Sequence, residues 1–129
     1  MVQNSFSSIR KIVDLYNSEN VYLVSKCGES VQKRTREWLN KYDFFSQTGV
    51  LESNIEFCLE RKDKKGICEK LDIDIFIDDR FSVLVHLLDL EKLILFNPNE
   101  IELTEFNNFD KKEKFNIVSN WEEILELII

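Results

Sequence analysis

The stretch Leu71–Leu88, LDIDIFIDDRFSVLVHLL, decides the fold of this chain. Within it, an apolar run at Ile73–Ile77 stops at two adjacent carboxylates, Asp78 and Asp79. An arginine follows, and after it an apolar segment with helical periodicity. The pattern predicts a buried strand that carries two acids at its C-terminal end, which is where open α/β sheets place their chemistry.

The two adjacent carboxylates have two interpretations. Neighbouring carboxylates repel each other, so each needs a cation nearby, such as a metal ion, a lysine or an arginine. Alternatively, Asp78 and Asp79 cap the next helix, because Asp is a favoured N-cap residue. Their immediate sequence leaves both interpretations open, and the rest of the chain has to decide between them.

The composition predicts one acidic cytoplasmic domain. With 129 residues, of which 43% are apolar, the chain is long enough to form one domain with its own core. Its net charge of -7 argues against nonspecific nucleic-acid binding. No apolar run reaches the roughly 20 residues that a membrane span needs, and the N-terminus lacks a signal peptide pattern. The cysteines are odd in number and form no CxxC pair, which favours reduced thiols over a disulfide framework or a zinc site; they are Cys27, Cys58 and Cys68.

Helical and strand patterns alternate along the chain. Apolar residues at helical spacing predict helices over 7–18, 30–42, 61–71, 81–88 and 121–129. Short apolar runs predict strands over 21–25, 55–59, 73–77, 92–96 and 117–118. This alternation predicts an α/β fold, a three-layer α/β/α sandwich in which helices cover both faces of a mostly parallel sheet.

Two further segments show neither helical nor strand periodicity, and the last helix is preceded by a recognisable cap. The pattern predicts a loop over 42–49 and an irregular segment over 100–114. Ser119 and Asn120, with Glu122 and Glu123 after them, predict a capping box at the last helix. Trp38 falls on the apolar side of the second helix, which predicts a place in the core.

Hydroxyl, ammonium and carboxylate groups are expected at one edge of the sheet. The first strand ends at Ser25 and Lys26, the third at the Asp pair, and the basic cluster 61–65 follows the second. These groups can hold a phosphate beside a divalent cation. Ser25 and a lysine would contact the phosphoryl oxygens, and Asp78 or Asp79 would bind Mg²⁺ through hard oxygen ligands.

The same residues carry a resemblance. VYLVSKCGESVQKRTREWL, the lysine cluster before KLDIDIFIDDR, and LILFNP followed by VSNWEEIL resemble the haloacid dehalogenase-like (HAD) phosphohydrolase superfamily. The resemblance covers nearly the whole chain from Ile9 onward and implies a Rossmann-type sheet. It implies that Ser25 is the second-motif hydroxyl, that Lys64 or its neighbour Lys65 is the third-motif lysine, and that Asp78 and Asp79 form the acidic fourth motif.

The chain departs from this superfamily at its first motif. Members normally begin with DxDx(T/V) at the end of the central strand, where the first Asp is the phosphoryl-accepting nucleophile. Upstream of Ser25 no such sequence occurs, and Asp14 lies within a predicted helix. Asp72 and Asp74 have the right spacing, but they begin the strand of the acidic motif. The resemblance therefore implies that the nucleophile is missing, together with a strand flanked by those ending in Ser25 and Asp78.

Three accounts of this departure remain open. In the first account the start is misassigned or the chain is trimmed, and the full protein is a Mg²⁺-dependent phosphatase of a small phosphorylated metabolite or nucleotide. The chain can instead be a natural remnant that serves as a non-enzymatic interaction or assembly module. Thirdly, another chain can supply the strand, because the gap exposes backbone groups on two strand edges. If the given ends are genuine, we expect a homo-oligomer.

Overall fold

The computed structural model describes residues 5–60 and 62–128 of the chain. The helices are α1 (Ser5–Tyr16), α2 (Glu29–Lys41), α3 (Phe44–Thr48), α4 (Asp63–Leu71), α5 (Phe81–Leu84), α6 (Glu100–Asn107) and α7 (Trp121–Ile128). The strands are β1 (Leu23–Lys26), β2 (Ile55–Cys58), β3 (Ile75–Asp78), β4 (Lys92–Phe96) and β5 (Phe115–Val118). Three 3₁₀ turns, at Ser18–Asn20, Glu52–Asn54 and Lys112–Lys114, complete the regular structure of these residues.

The chain divides into two compact units, residues 1–60 with 125–129 and residues 61–124. In the first unit, β1 and β2 pair in parallel, from Leu23 opposite Ile55 to Lys26 opposite Cys58. Burial of apolar surface holds this unit together. Its buried core consists of Val13, Leu39, Phe44, Val50 and Ile55.

The second unit is built on a three-stranded parallel sheet in the order β3-β4-β5. The central strand β4 has neighbours on both sides, and Leu93, Ile94 and Leu95 within it are fully buried. A strand buried on both faces of a parallel sheet requires this kind of continuous apolar run. A group of aromatic rings packs edge to face or tilted beside the sheet, and consists of Phe81, Phe106, Phe109 and Phe115.

The structure confirms the predicted α/β class and the parallel pairing. All five predicted strands form, and β4 spans the residues that its apolar run indicates. They form a two-stranded and a three-stranded sheet instead of the one sheet expected, because among the described residues β1 pairs only with β2 and β3 only with β4. The predicted cap of α7 is also confirmed, since the Asn120 side chain accepts from the Glu123 backbone N–H at 2.9 Å.

Two segments expected to be irregular are helical. Residues 42–49 contain α3, where Thr48 Oγ1 donates to the Phe44 carbonyl at 2.8 Å and Gly49 ends the helix with a φ of 83°. Residues 100–114 contain α6, which begins at a side-chain cap: Asn99 accepts from the Glu102 backbone N–H at 2.9 Å. Local hydrogen bonds, which apolar periodicity does not report, form these two helices.

Several boundaries differ from the prediction. Helix α5 ends at Leu84 instead of residue 88, and α1 begins at Ser5, two residues before the predicted start. Helix α4 begins at Asp63, and Arg61, the predicted first residue of this helix, lies outside the described residues. Trp38 was expected in the core but its side chain is 42% exposed. Across the part of the chain that the structure describes, no helix has the length and apolarity of a membrane span.

Candidate functional site

A buried ion pair lies at the C-terminal end of β3. Lys64 Nζ is 3.2 Å from Asp78 Oδ2, and the two side chains are only 8% and 12% exposed. Lys64 belongs to the first turn of α4, and Asp78 is the last residue of β3. The ammonium group also lies 5.8 Å from the centre of the Phe76 ring, a cation–π distance. Burial of a lysine requires such partners, because an isolated buried charge costs several kcal/mol.

Asp78 is held by two donors and is affected by its acidic neighbour. Its Oδ1 accepts from the Arg80 backbone N–H at 3.0 Å, while Oδ2 faces Lys64. Burial raises the pKa of Asp78 above its ordinary value, and the hydrogen bond with the Asp79 side chain raises it further, whereas Lys64 and the Arg80 N–H act in the opposite direction. Asp79 itself is exposed. The pair therefore consists of one anchored carboxyl group and one that faces solvent.

The Asp pair does not cap the following helix. Helix α5 begins after Arg80, whose side chain makes no capping hydrogen bond. The carboxylate of Glu102 accepts instead from the Ser82 backbone N–H and hydroxyl, both at 3.3 Å. Glu102 is only 5% exposed, so it is the acid that serves the start of α5. Neither Asp78 nor Asp79 is therefore the N-cap residue of α5, although Asp78 Oδ1 accepts from the Arg80 backbone N–H just before the helix.

The structure distinguishes the two lysines that the sequence left open. Lys64 reaches Asp78, whereas Lys65 Nζ lies 3.9 Å from Asp89 on the surface, with side chains 51% and 87% exposed. An exposed pair at this distance contributes little to stability. The lysine that contacts the Asp pair in this structure is therefore Lys64, through Asp78. The acids Asp72 and Asp74 are exposed and precede β3, as expected from their place in the sequence.

Ser25 and Lys26 lie at the end of β1, in the first unit. The Ser25 hydroxyl is partly buried, and its contact is a weak one to Cys27 Sγ at 3.9 Å. Two hydrogen bonds to the backbone of Cys27 fix the turn that follows. The Cys27 N–H donates to the Cys58 carbonyl at 2.9 Å, and the Gln32 side chain donates through Nε2 to the Cys27 carbonyl at 3.1 Å. Lys26 is exposed. Of the predicted site residues, the second unit thus brings together Lys64, Asp78 and Asp79.

At the end of β3 the structure places two adjacent carboxylates, Asp78 and Asp79, with the Lys64 ammonium group 3.2 Å from Asp78 Oδ2. Within residues 5–60 and 62–128, no three Asp, Glu, His or Cys side chains converge on one point. Mg²⁺ keeps several of its waters and is commonly held by one or two carboxylates together with substrate phosphate oxygens. Asp78 and Asp79 supply such carboxylates, and Lys64 supplies a cationic donor for a phosphate oxygen.

Cys68, one turn after Lys64 on α4, is a buried thiol that is poorly suited to act as a nucleophile. It is 2% exposed, and burial raises the pKa of its thiol to about 11, an effect that Lys64 partly opposes and Glu69 increases. At neutral pH the thiol is protonated, and a protonated thiol is neither a good nucleophile nor a metal ligand.

Sequence reasoning missed Glu102, because residues 100–114 were expected to be irregular. A signal was present: Asn99 followed three residues later by Glu102 is the pattern of a capping box.

Comparison of the chain with known proteins found no relative. No protein-family model, no curated protein and no solved structure matches it.

Proposed function

We propose that this chain is an HAD-like α/β/α domain that binds Mg²⁺ and a phosphoryl group at the C-terminal end of β3. The observation that carries the proposal is the buried contact between Lys64 and Asp78, 3.2 Å apart. The resemblance places a motif lysine and an acidic motif together at a strand end, and a lysine is seldom buried unless it has a specific partner. The full-length function that fits is hydrolysis of a small phosphorylated metabolite or nucleotide.

Each residue has a defined part in this proposal. Lys64 orients a phosphoryl oxygen through its ammonium group, and its contact with Asp78 fixes its position. Asp78 and Asp79 bind the metal ion, and the Arg80 backbone N–H holds the Asp78 carboxylate in one orientation. Bound Mg²⁺ would neutralise phosphate charge as a Lewis acid. Ser25 enters as a phosphate contact through the resemblance and Lys26 through its place next to Ser25 at the end of β1, so their contribution is tested separately.

Hydrolysis also requires a nucleophile. The resemblance assigns it to a DxDx(T/V) segment, which the 129 residues do not contain upstream of Ser25. In this proposal the segment comes from an upstream extension or from another chain, together with the strand that carries it. The strands that the resemblance expects beside it, β1 and β3, each have one strand neighbour among the described residues. Among the described residues β2 and β5 likewise have one strand neighbour each, so this pairing does not single out β1 and β3.

Calorimetric titration with Mg²⁺ tests the metal site directly. We expect the chain to bind Mg²⁺ and the double variant Asp78→Asn/Asp79→Asn to lose binding. The matched control is Asp74→Asn, which neutralises an exposed acid at the other end of the same strand and should leave binding unchanged. Unchanged Mg²⁺ binding in the double variant would contradict the assignment. A circular dichroism melt establishes that each variant is folded.

Phosphatase activity is tested with a generic aryl phosphate, using the chain joined to a DxDx(T/V)-bearing strand or mixed with it. We expect Mg²⁺-dependent release of phosphate that Asp78→Asn/Asp79→Asn abolishes. Ser25→Ala and Lys26→Ala should lower the rate if these residues contact the phosphoryl group. Activity that survives neutralisation of both aspartates would refute the metal assignment.

A second candidate function is a non-enzymatic assembly module, favoured by the single strand neighbour of β1 and of β3. Such edges pair with strands of other polypeptides, including a second copy of the same chain. In this case we expect a homo-oligomer in light scattering at high concentration and no Mg²⁺ binding by calorimetry. A monodisperse monomer would exclude self-association.

A further inference from the structure

Helix α2 exposes an apolar side that the core of its unit does not cover. Leu39 is the one residue of this helix that is buried. Three large side chains along the helix remain exposed, Val31 at 41%, Trp38 at 42% and Tyr42, directly after the helix, at 40%. Single exposed apolar residues are ordinary, but a contiguous group that includes two aromatic rings is typical of an interaction surface.

These side chains form one stripe because of their spacing. Val31, Thr35, Trp38 and Tyr42 follow one another at intervals of three or four residues, so they lie one above the other on the same side of the helix. We call these four residues the α2 stripe. The rings of Trp38 and Tyr42 are in contact, with their centres 4.8 Å apart. The stripe spans twelve residues from Val31 to Tyr42, a rise of about 16 Å, or three turns of a partner helix.

Basic side chains lie beside the α2 stripe. Arg34 lines a shallow depression together with Val31, Thr35 and Trp38, and Lys41 Nζ lies 5.5 Å from the centre of the Tyr42 ring. The sequence of α2, ESVQKRTREWLNK, has four basic and two acidic residues, whereas the whole chain has 17 basic and 24 acidic ones. The stripe therefore combines apolar contact with positive charge on a protein that is negative elsewhere.

We propose that the α2 stripe docks an acidic amphipathic helix of a partner protein. A helix presents apolar residues at the same three-or-four-residue spacing, so it can cover the stripe along its length. Carboxylates beside its apolar side would pair with Arg34 and Lys41. Single-stranded nucleic acid fits less well, because the net charge of -7 repels phosphates and aliphatic Val31 offers no stacking surface. The proposal is independent of the site at Lys64 and Asp78.

Fluorescence anisotropy tests the proposal with a labelled synthetic helix that has leucines on one side and glutamates beside them. A second peptide has lysines in place of the glutamates. We expect the glutamate peptide to bind and the lysine peptide to bind at least about tenfold more weakly. Trp38→Ala should weaken binding of the glutamate peptide by about tenfold or more, as for an aromatic hot spot. Because Trp38 is exposed, this variant should melt at the wild-type temperature.

Matched controls separate the α2 stripe from general stickiness and charge. Leu51→Ala removes a side chain that is 42% exposed elsewhere in the same unit and should leave binding unchanged. Arg34→Glu should weaken binding, while Lys33→Glu, the same charge change on another side of α2, should have a much smaller effect.

Three results would overturn the proposal. One is equal binding of both peptides, and another is binding that survives Trp38→Ala. The third is tighter binding of an oligothymidylate or a second copy of the chain that Trp38→Ala abolishes, because the surface would then serve nucleic acid or self-association.

Discussion

The two sheets of the protein differ in how deeply they bury their strands. β4 has a strand neighbour on each side, and three of its residues, Leu93, Ile94 and Leu95, are fully buried. β1 has one strand neighbour, and none of its four residues is buried. The candidate site follows this difference, because Asp78 pairs in register with Leu95 and lies next to the best-buried strand. Ser25, on β1, has no comparable surroundings within its own unit.

This difference in burial indicates which sheet can hold a charged pair in one geometry. A buried carboxylate and ammonium group keep one geometry because the surrounding apolar side chains exclude water and oppose their separation. The sheet centred on β4 supplies such surroundings for Lys64 and Asp78. A two-stranded sheet does not, which is consistent with the exposed Lys26 and the weak 3.9 Å contact of Ser25. The following predictions test this contrast, beginning with the largest expected effect.

The largest effect is expected from removing the buried lysine. Lys64→Met leaves the Asp78 carboxyl group without its cation in a buried place and should lower the free energy of unfolding by about 3–5 kcal/mol. Lys65→Met, the adjacent substitution, removes an exposed contact and should cost less than about 1 kcal/mol. Urea denaturation followed by circular dichroism measures both. Lys64→Met/Asp78→Asn should recover part of the loss, and equal costs for the two single lysine variants would contradict the buried pair.

The same apolar substitution should have unequal effects in the two sheets. Leu95→Ala removes a fully buried side chain from β4 and should lower the free energy of unfolding by about 2–5 kcal/mol. Leu23→Ala, on β1, removes a partly exposed side chain and should cost about half as much or less, because less apolar surface returns to water. Urea denaturation of both variants measures the difference. Equal losses would mean that β1 is buried as deeply as β4.

Asp78 should make the stability of the protein depend on pH. Its pKa is raised in the folded state, so the folded protein holds this proton more tightly than the unfolded chain does. Relative to Asp78→Asn, the wild type should therefore become more stable as the pH falls through the raised pKa towards the ordinary value. Urea denaturation from neutral pH down to about pH 4 measures this difference, and a wild type that loses stability relative to Asp78→Asn would contradict it.

Much of the fold could be predicted because burial in a parallel sheet leaves a direct mark on the sequence. The run KLILF marks β4 at its observed ends, since every interior position of that strand is apolar. Helix α6 could not be found in this way. Its sequence, EIELTEFN, is polar over much of its length, a side-chain cap at Asn99 stabilises its beginning, and the buried carboxylate of Glu102 bonds to the start of α5.

The strand end that carries Asp78 could be predicted from the sequence, but the surroundings of its carboxylate could not. The strand that ends in Asp78 indicated where the acids would lie, and the resemblance indicated a lysine beside them. Neither could show that Lys64, and not Lys65, points inward, because two adjacent helix positions differ by about 100° in direction. Trp38 was missed for a related reason: helical periodicity identifies an apolar side but does not reveal whether anything covers it.

The smallest effect concerns the beginnings of helices in the two units. Helix α6 has a side-chain cap at Asn99. The residue before α2 is Gly28, which provides no side-chain cap. Gly28 has a φ of -77° and a ψ of 172°, and a Cβ placed there meets nothing within 4 Å. Gly28→Ser should therefore supply a cap without strain and raise the free energy of unfolding by about 0.5–1 kcal/mol.

Thermal or urea denaturation measures this gain, and Gly49→Ser is the matched control. Gly49 has a φ of 83°, and a Cβ there would lie 3.0 Å from Val13 Cγ1, so the same substitution should destabilise the protein. Asn99→Ala should cost about 1 kcal/mol, since it removes a cap that α6 already has. A loss of stability in Gly28→Ser would show that α2 needs a bare glycine at its beginning, where the chain leaves β1 and Ser25. In that case position 28 would tolerate no side chain, and the geometry at the beginning of α2 would be as fixed as that of Lys64 and Asp78 at the end of β3.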